Sequence, residues 1–87
     1  MTINFPNASR SYDATRHSVH FWGYDGAFEV SFFIDEDALH KLAPATGASE
    51  PALLKSFDDN LERIRKAAGT AYGRRRQGSS ALTTADF

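Results

Sequence analysis

Cysteine is absent from the chain, which excludes disulfides, thiolate zinc sites and cysteine nucleophiles together and leaves stability to packing. No apolar stretch approaches membrane-spanning length, and the opening Met-Thr-Ile-Asn-Phe-Pro has neither the basic segment nor the apolar run of a signal peptide. A soluble cytoplasmic protein without a membrane partner is expected. Charge of one sign is not in excess either: ten Lys and Arg face eleven Asp and Glu, for a net charge of −1, so bulk electrostatics select no partner. The signatures of known reactions are missing as well. Gly-x-Ser-x-Gly, a phosphate-cradling glycine loop and His-Glu-x-x-His are all absent, so no catalytic residue, metal ligand, cofactor or small-molecule ligand is indicated.

What is present is a compact set of core-forming residues. The 87 residues suffice for one domain, 1–87, and seven Phe contribute much of a 13% aromatic and 41% hydrophobic content that argues for a packed core. The strongest local signal runs from His17 to Ile34. Asp25-Gly26 suits the positive φ angles of a two-residue type I′ turn, and aromatic and β-branched residues flank it. Pairing outward from that turn sets Gly23 opposite Phe28, Phe21 opposite Val30 and Val19 opposite Phe32 on an apolar face. The other face then carries Tyr24 opposite Ala27, Trp22 opposite Glu29 and His20 opposite Ser31.

Before the hairpin, Ile3 and Phe5 alternate with polar residues up to Pro6, as in a short edge strand or extended arm, and residues 7–16 read as a turn-rich connection. After Ile34 the period changes. Asp35 is a good N-cap, Glu36 and Asp37 favour the first turn, and Ala38, Leu39, Leu42 and Ala43 make a short apolar stripe ended by Pro44. Ser49 and Pro51 start a second helix, in which Leu53, Leu54, Phe57, Leu61, Ile64, Ala68, Ala71 and Tyr72 keep to one face as far as about Arg75. Gly78 allows a break, and the run to Phe87 reads as a last strand. The expected architecture is a two-layer α+β domain: an antiparallel hairpin extended by a C-terminal strand and by the N-terminal strand or arm, with one short and one long helix packed on one face.

Phe5-Pro6, the Ser11 to Arg16 segment, Val19-His20-Phe21, the hairpin and the closing Ala85-Asp86-Phe87 together resemble small bacterial proteins grouped as domain of unknown function 1488. The similarity spans nearly the whole chain and implies one intact domain. It brings no reaction, cofactor or partner with it.

Two features carry the functional expectations. His20, Trp22 and Tyr24, beside Phe33, form an aromatic surface on the second hairpin face, which either meets another protein, a second copy included, or is covered by Ile3, Phe5 and Tyr12 folding back. Arg74, Arg75 and Arg76 form a cationic cluster near the end of the long helix, where a helix dipole alone would favour them. Binding through self-association or a protein partner is the first reading. The alternative joins cluster and rings into a cationic funnel with a stacking platform for single-stranded nucleic acid. An enzyme of unnamed reaction stands third. Histidines give no converging metal set: His17 and His20 have opposite parity in a strand, and His40 has only Glu36 and Asp37 within a helical turn.

Overall fold

A computed structural model describes residues 3–6, 9–75 and 78–87, Arg75 in its backbone alone. The elements are β1 (Arg10–Asp13), β2 (Ser18–Asp25), β3 (Phe28–Asp35), α1 (Glu36–Leu42), α2 (Glu50–Asp59), α3 (Leu61–Arg75) and β4 (Ser79–Leu82), followed by a 3-10 turn (Thr84–Asp86). They form a four-stranded sheet in the order β1-β2-β3-β4. The first three strands are antiparallel and β4 runs parallel to β3. A parallel return needs a long crossover, and the three helices supply it.

The hairpin forms with its two faces as expected, but its register differs by two. Asp25 pairs with Phe28, Gly23 with Val30, Phe21 with Phe32 and Val19 with Ile34. The loop is therefore Gly26-Ala27, and only Gly26, at φ 63°, needs the positive φ that a type II′ turn places first. Asp25 stays in the strand because its Oδ2 accepts a 2.7 Å hydrogen bond from the Tyr72 hydroxyl of α3. An even shift keeps every side chain on its face. Phe28, expected within the apolar face, is 58% exposed beside the turn.

One apolar cluster fills the space between the inner sheet face and the helices. Val19, Phe21, Val30, Phe32, Ile34 and Leu82 from the sheet are buried against helical residues that include Leu39, Leu53, Phe57 and Ile64. Asp35 caps α1, accepting from the Ala38 amide at 2.7 Å, and Ser49 caps α2, accepting from Ala52 at 3.3 Å. The expected long helix is divided at Asn60, whose amide Nδ2 donates to the Ser56 carbonyl at 2.9 Å. An asparagine that bonds its own backbone competes with helix continuation. The apolar stripe nevertheless continues across the break, since Ile64, Ala68, Ala71 and Tyr72 are all buried.

Residues 10–13, read from sequence as connection, form β1. Their partner is β2, reached by a turn in which the Asp13 carboxylate accepts from the Arg16 amide at 3.1 Å and His17 adopts φ 50°. Arg10 ties this edge to α2 through a bidentate pair with Asp58, at 3.0 and 2.9 Å. At the other end the run after Leu82 leaves the sheet. Thr83 caps the 3-10 turn, with its side chain accepting from Ala85 and its amide donating to Asp86.

The N-terminal arm pairs with the edge of β2 and sends its apolar side chains to the inner face and not over the aromatic one. Asn4 exchanges two 2.8 Å backbone hydrogen bonds with Tyr24, and the Phe5 ring lies 6.1 Å from those of Phe21 and Phe32. Gly23 makes the approach possible. A Cβ there would stand 2.7 Å from Ile3 Cγ2, 2.9 Å from the Asn4 carbonyl and 2.9 Å from Phe5 Cε1. Backbone is among those contacts, so Gly23→Ala must displace the arm. The expected result is a loss of about 1–3 kcal/mol in denaturant-induced unfolding together with faster proteolytic trimming of the arm; an unchanged midpoint would show that the arm does not contribute to the fold.

Candidate functional site

Parity places Ser11, Asp13, Ser18, His20, Trp22, Tyr24, Glu29, Ser31, Phe33, Ser79 and Ala81 on the outer face of the sheet. The buried strand residues that join the core are their inward-facing neighbours, and the helical residues of that core, with Ile3 and Phe5 of the arm, pack on that inward side. This corrects the reading in which Ile3, Phe5 and Tyr12 cover the rings. Ile3, Phe5 and Tyr12 pack against the core from the inner side: Gly23 leaves room there for Ile3 and Phe5, and Tyr12 is paired with the inward-facing Val19.

On the uncovered face the rings form one group. His20 stacks on Phe33 at 4.6 Å with 10° between planes, and Trp22 meets His20 at 5.3 Å and 45°. The Arg16 guanidinium lies 4.0 Å from the Phe33 centroid, a cation–π contact. Tyr24 stands further along β2 toward the turn, where its hydroxyl donates to Glu29 at 3.3 Å. The face is thus an aromatic centre with Arg16 at one end and Glu29 at the other. Small residues surround it.

Phe33, expected beside these rings, stacks on His20 because the register sets the two directly across from each other; the expected register put Ser31 there. Arg16 comes from the β1–β2 turn and has no local signal in the sequence. His20 packs between neighbours, and its Nε2 is buried without a hydrogen-bond partner among the described residues. Burial pushes its pKa below the ordinary imidazole value, Asp13 and Glu29 oppose that shift, and Arg16 adds to it. The ring is therefore neutral at neutral pH. Burying an unpaired imidazole is tolerable in that form alone.

The other candidate residues lie elsewhere. Arg74 projects from α3 into a groove on the helical layer, the opposite side of the sheet from Trp22. The Arg75 side chain and all of Arg76 fall outside the described residues. The rings and the described part of the arginine cluster therefore do not share one surface. His17 leaves the strand pattern at the turn, and its Nδ1 lies 3.6 Å from Glu36 Oε2. The same Glu36 oxygen accepts from the Tyr12 hydroxyl, which raises the phenol's pKa. Glu36 is engaged by Tyr12 and His17 and not by His40, its neighbour on α1.

Residues 3–82 match the family described as "Protein of unknown function (DUF1488)". The chain belongs to the DUF1488 family. A crystal structure of a DUF1488 protein of unknown function from Shewanella loihica PV-4 is similar to it with a TM-score of 0.82, at 18% identity over 92% of this chain and 90% of that one. At that identity the likeness speaks for the fold. No curated protein matches the chain. No helix among the described residues is long and apolar enough to cross a membrane.

The depressed His20 pKa gives this DUF1488 chain a pH signature. Unfolding restores the ordinary value, about 6.5, so the unfolded chain takes up a proton first as pH falls. Stability is then full above that value and declines below it until the folded ring also protonates. His20→Phe is expected to flatten the part of the stability–pH curve just below pH 6.5, measured by urea unfolding across pH 5 to 8. Curves of equal slope for the two proteins would show that His20 titrates freely.

Proposed function

We propose that the chain is a small cytoplasmic protein of a bacterial cell that works by binding and not by catalysis, associating with a second copy of itself through the outer sheet face. The observation that carries this reading is the one-sidedness of the fold. The helices and the arm's Ile3 and Phe5 pack on the inner face, while His20, Trp22 and Phe33 form a contiguous ring cluster on the other. An antiparallel sheet that merely faces water carries polar residues there. Aromatic residues with arginine beside them are instead the composition of interface centres.

A second copy fits this face for a reason of charge and symmetry. The centre is uncharged once His20 is neutral, Arg16, 4.0 Å from Asp13 and 57% exposed at its side chain, stands at one end and Glu29 at the other. A two-fold axis lying between two such faces and running across the strands reverses one against the other. Each Arg16 end then meets a Glu29 end, giving two equivalent attractive contacts around an apolar middle.

Light scattering with sedimentation analysis tests the proposal. The wild type is expected to dimerise in the micromolar range, and Trp22→Ala to weaken the dimer by about 30-fold, corresponding to about 2 kcal/mol for a central aromatic. Arg16→Glu should weaken it as well, and adding Glu29→Arg should restore it. A wild type that stays monomeric at high concentration, or a Trp22→Ala dimer of unchanged strength, would overturn the reading.

A further inference from the structure

We infer that the groove between α3 and the C-terminal 3-10 turn is a binding site for a small organic phosphate of the nucleoside phosphate class. The groove has a volume of about 370 Å³, within the usual range of about 300–1,000 Å³ for small-molecule sites. One wall is a single helical face: Arg63, Lys66, Ala67, Thr70 and Arg74 recur at steps of three and four. The other is Ala85, Asp86 and Phe87.

Three cations line this one cleft, and none of Arg63, Lys66 and Arg74 forms an ion pair with a described residue. Like charges gathered around a partly enclosed space repel one another, and a polyanion placed among them removes that cost. Two of the three are arginines, whose planar fork binds phosphate oxygens in pairs. One carboxylate would leave most of the set unmatched. A di- or triphosphate group matches it.

The second wall says what the rest of the ligand is. Asp86 accepts the Thr83 amide through Oδ2 at 2.8 Å, which fixes the carboxylate and uses only one of its oxygens. Lys41 holds the same turn by donating to backbone oxygens of Thr84, at 3.0 Å, and of Phe87. A rigid carboxylate across from three cations repels a phosphate and accepts hydroxyl or amino donors, so it orients a ligand with phosphates at α3 and donors at the turn. Ala67, Ala85 and Phe87 add apolar surface for a flat group. Phosphates, donor groups and a flat apolar part are the parts of a nucleotide.

This site lies on the helical layer and does not depend on the outer face. Its test is calorimetric titration of the intact protein at low salt with metal-free ATP and, separately, with inorganic tripolyphosphate. ATP should bind one per chain and more tightly than tripolyphosphate. Lys66→Gln should weaken ATP binding about tenfold, as for loss of one charge-assisted contact, and the combined Arg63→Gln, Lys66→Gln and Arg74→Gln variant should abolish it. Lys55→Gln, which removes a positive charge from the exposed face of α2, should leave it unchanged. Ala67→Phe keeps all the cations but fills the groove, and should also block binding. Thermal unfolding of each variant confirms that it is folded. Absence of ATP binding at millimolar concentration, undiminished binding by the combined variant, or tripolyphosphate binding as tightly as ATP would overturn the assignment. So would retention of a short single-stranded oligonucleotide by the Ala67→Phe variant at wild-type strength, since charge without a groove would then suffice.

Discussion

Four phenylalanine rings hold the layers of this domain together. Phe21 and Phe32, paired directly across β2 and β3, stack with centroids 5.3 Å apart, Phe57 of α2 meets Phe21 at 5.1 Å, and Phe5 of the arm meets both strand residues at 6.1 Å. Sheet, helix and arm thus converge on one point. Removing Phe21, Phe32 or Phe57, all buried, would open a void that stiff neighbours could not close, because protein cores pack at crystal-like density and relax only in part. The same convergence explains Gly23. With a side chain there the arm could not reach the cluster, and Phe5 would have to face water.

This concentration of packing on one face decides what the other face is available for. A short chain buries a limited fraction of its surface, and here the helices, the arm and β1's Arg10 and Tyr12 all serve the inner side. The outer side keeps its rings because the hairpin period is two and its faces are independent. Nothing in the inner packing requires an aromatic at Trp22 or Phe33. Their presence, with a neutral His20 stacked between, is chemistry additional to the fold, which is why association through this surface is the reading of function that the geometry supports best.

The parts of the fold legible in the sequence are those fixed by short-range periodicity. Alternation assigned the two hairpin faces, the three-four spacing from Leu53 to Tyr72 assigned the core side of α2 and α3, and Asp35 and Ser49 marked helix starts by the one side-chain bond that each can make. Register was less legible, because Gly26 satisfies a turn in which it stands second after Asp25 as well as one in which it stands first before Ala27. The observed one places Asp25 in the strand, where it accepts from Tyr72, a contact 47 residues away that no local pattern shows. β1 was hidden for a similar reason. Its polar residues have no apolar alternation of their own, and the strand exists by pairing with β2 and by the tie from Arg10 to Asp58. The aromatic site was readable as to His20, Trp22, Tyr24 and Phe33, whereas the direct pairing of Phe33 with His20 required the register and Arg16 required the turn. For the groove, Arg74 stood in the cationic cluster that the sequence singles out, whereas Arg63, Lys66 and the wall across from them did not.

Tyr72 also has a place in how the two surfaces relate. It is buried in α3, two residues before Arg74, and its hydroxyl holds the hairpin turn through Asp25. The turn in turn fixes the register that sets Phe33 across from His20, so one hydrogen bond joins the end of the helix lining the groove to the alignment of the outer face. The surfaces themselves lie on opposite sides of the sheet, separated by a close-packed core, and a partner on one leaves the other open. A dimer built on the outer faces would therefore present its two basic grooves outward and away from the shared axis. Such an assembly could hold two ligands at once without either meeting the interface, because the buried core lies between each groove and the shared face.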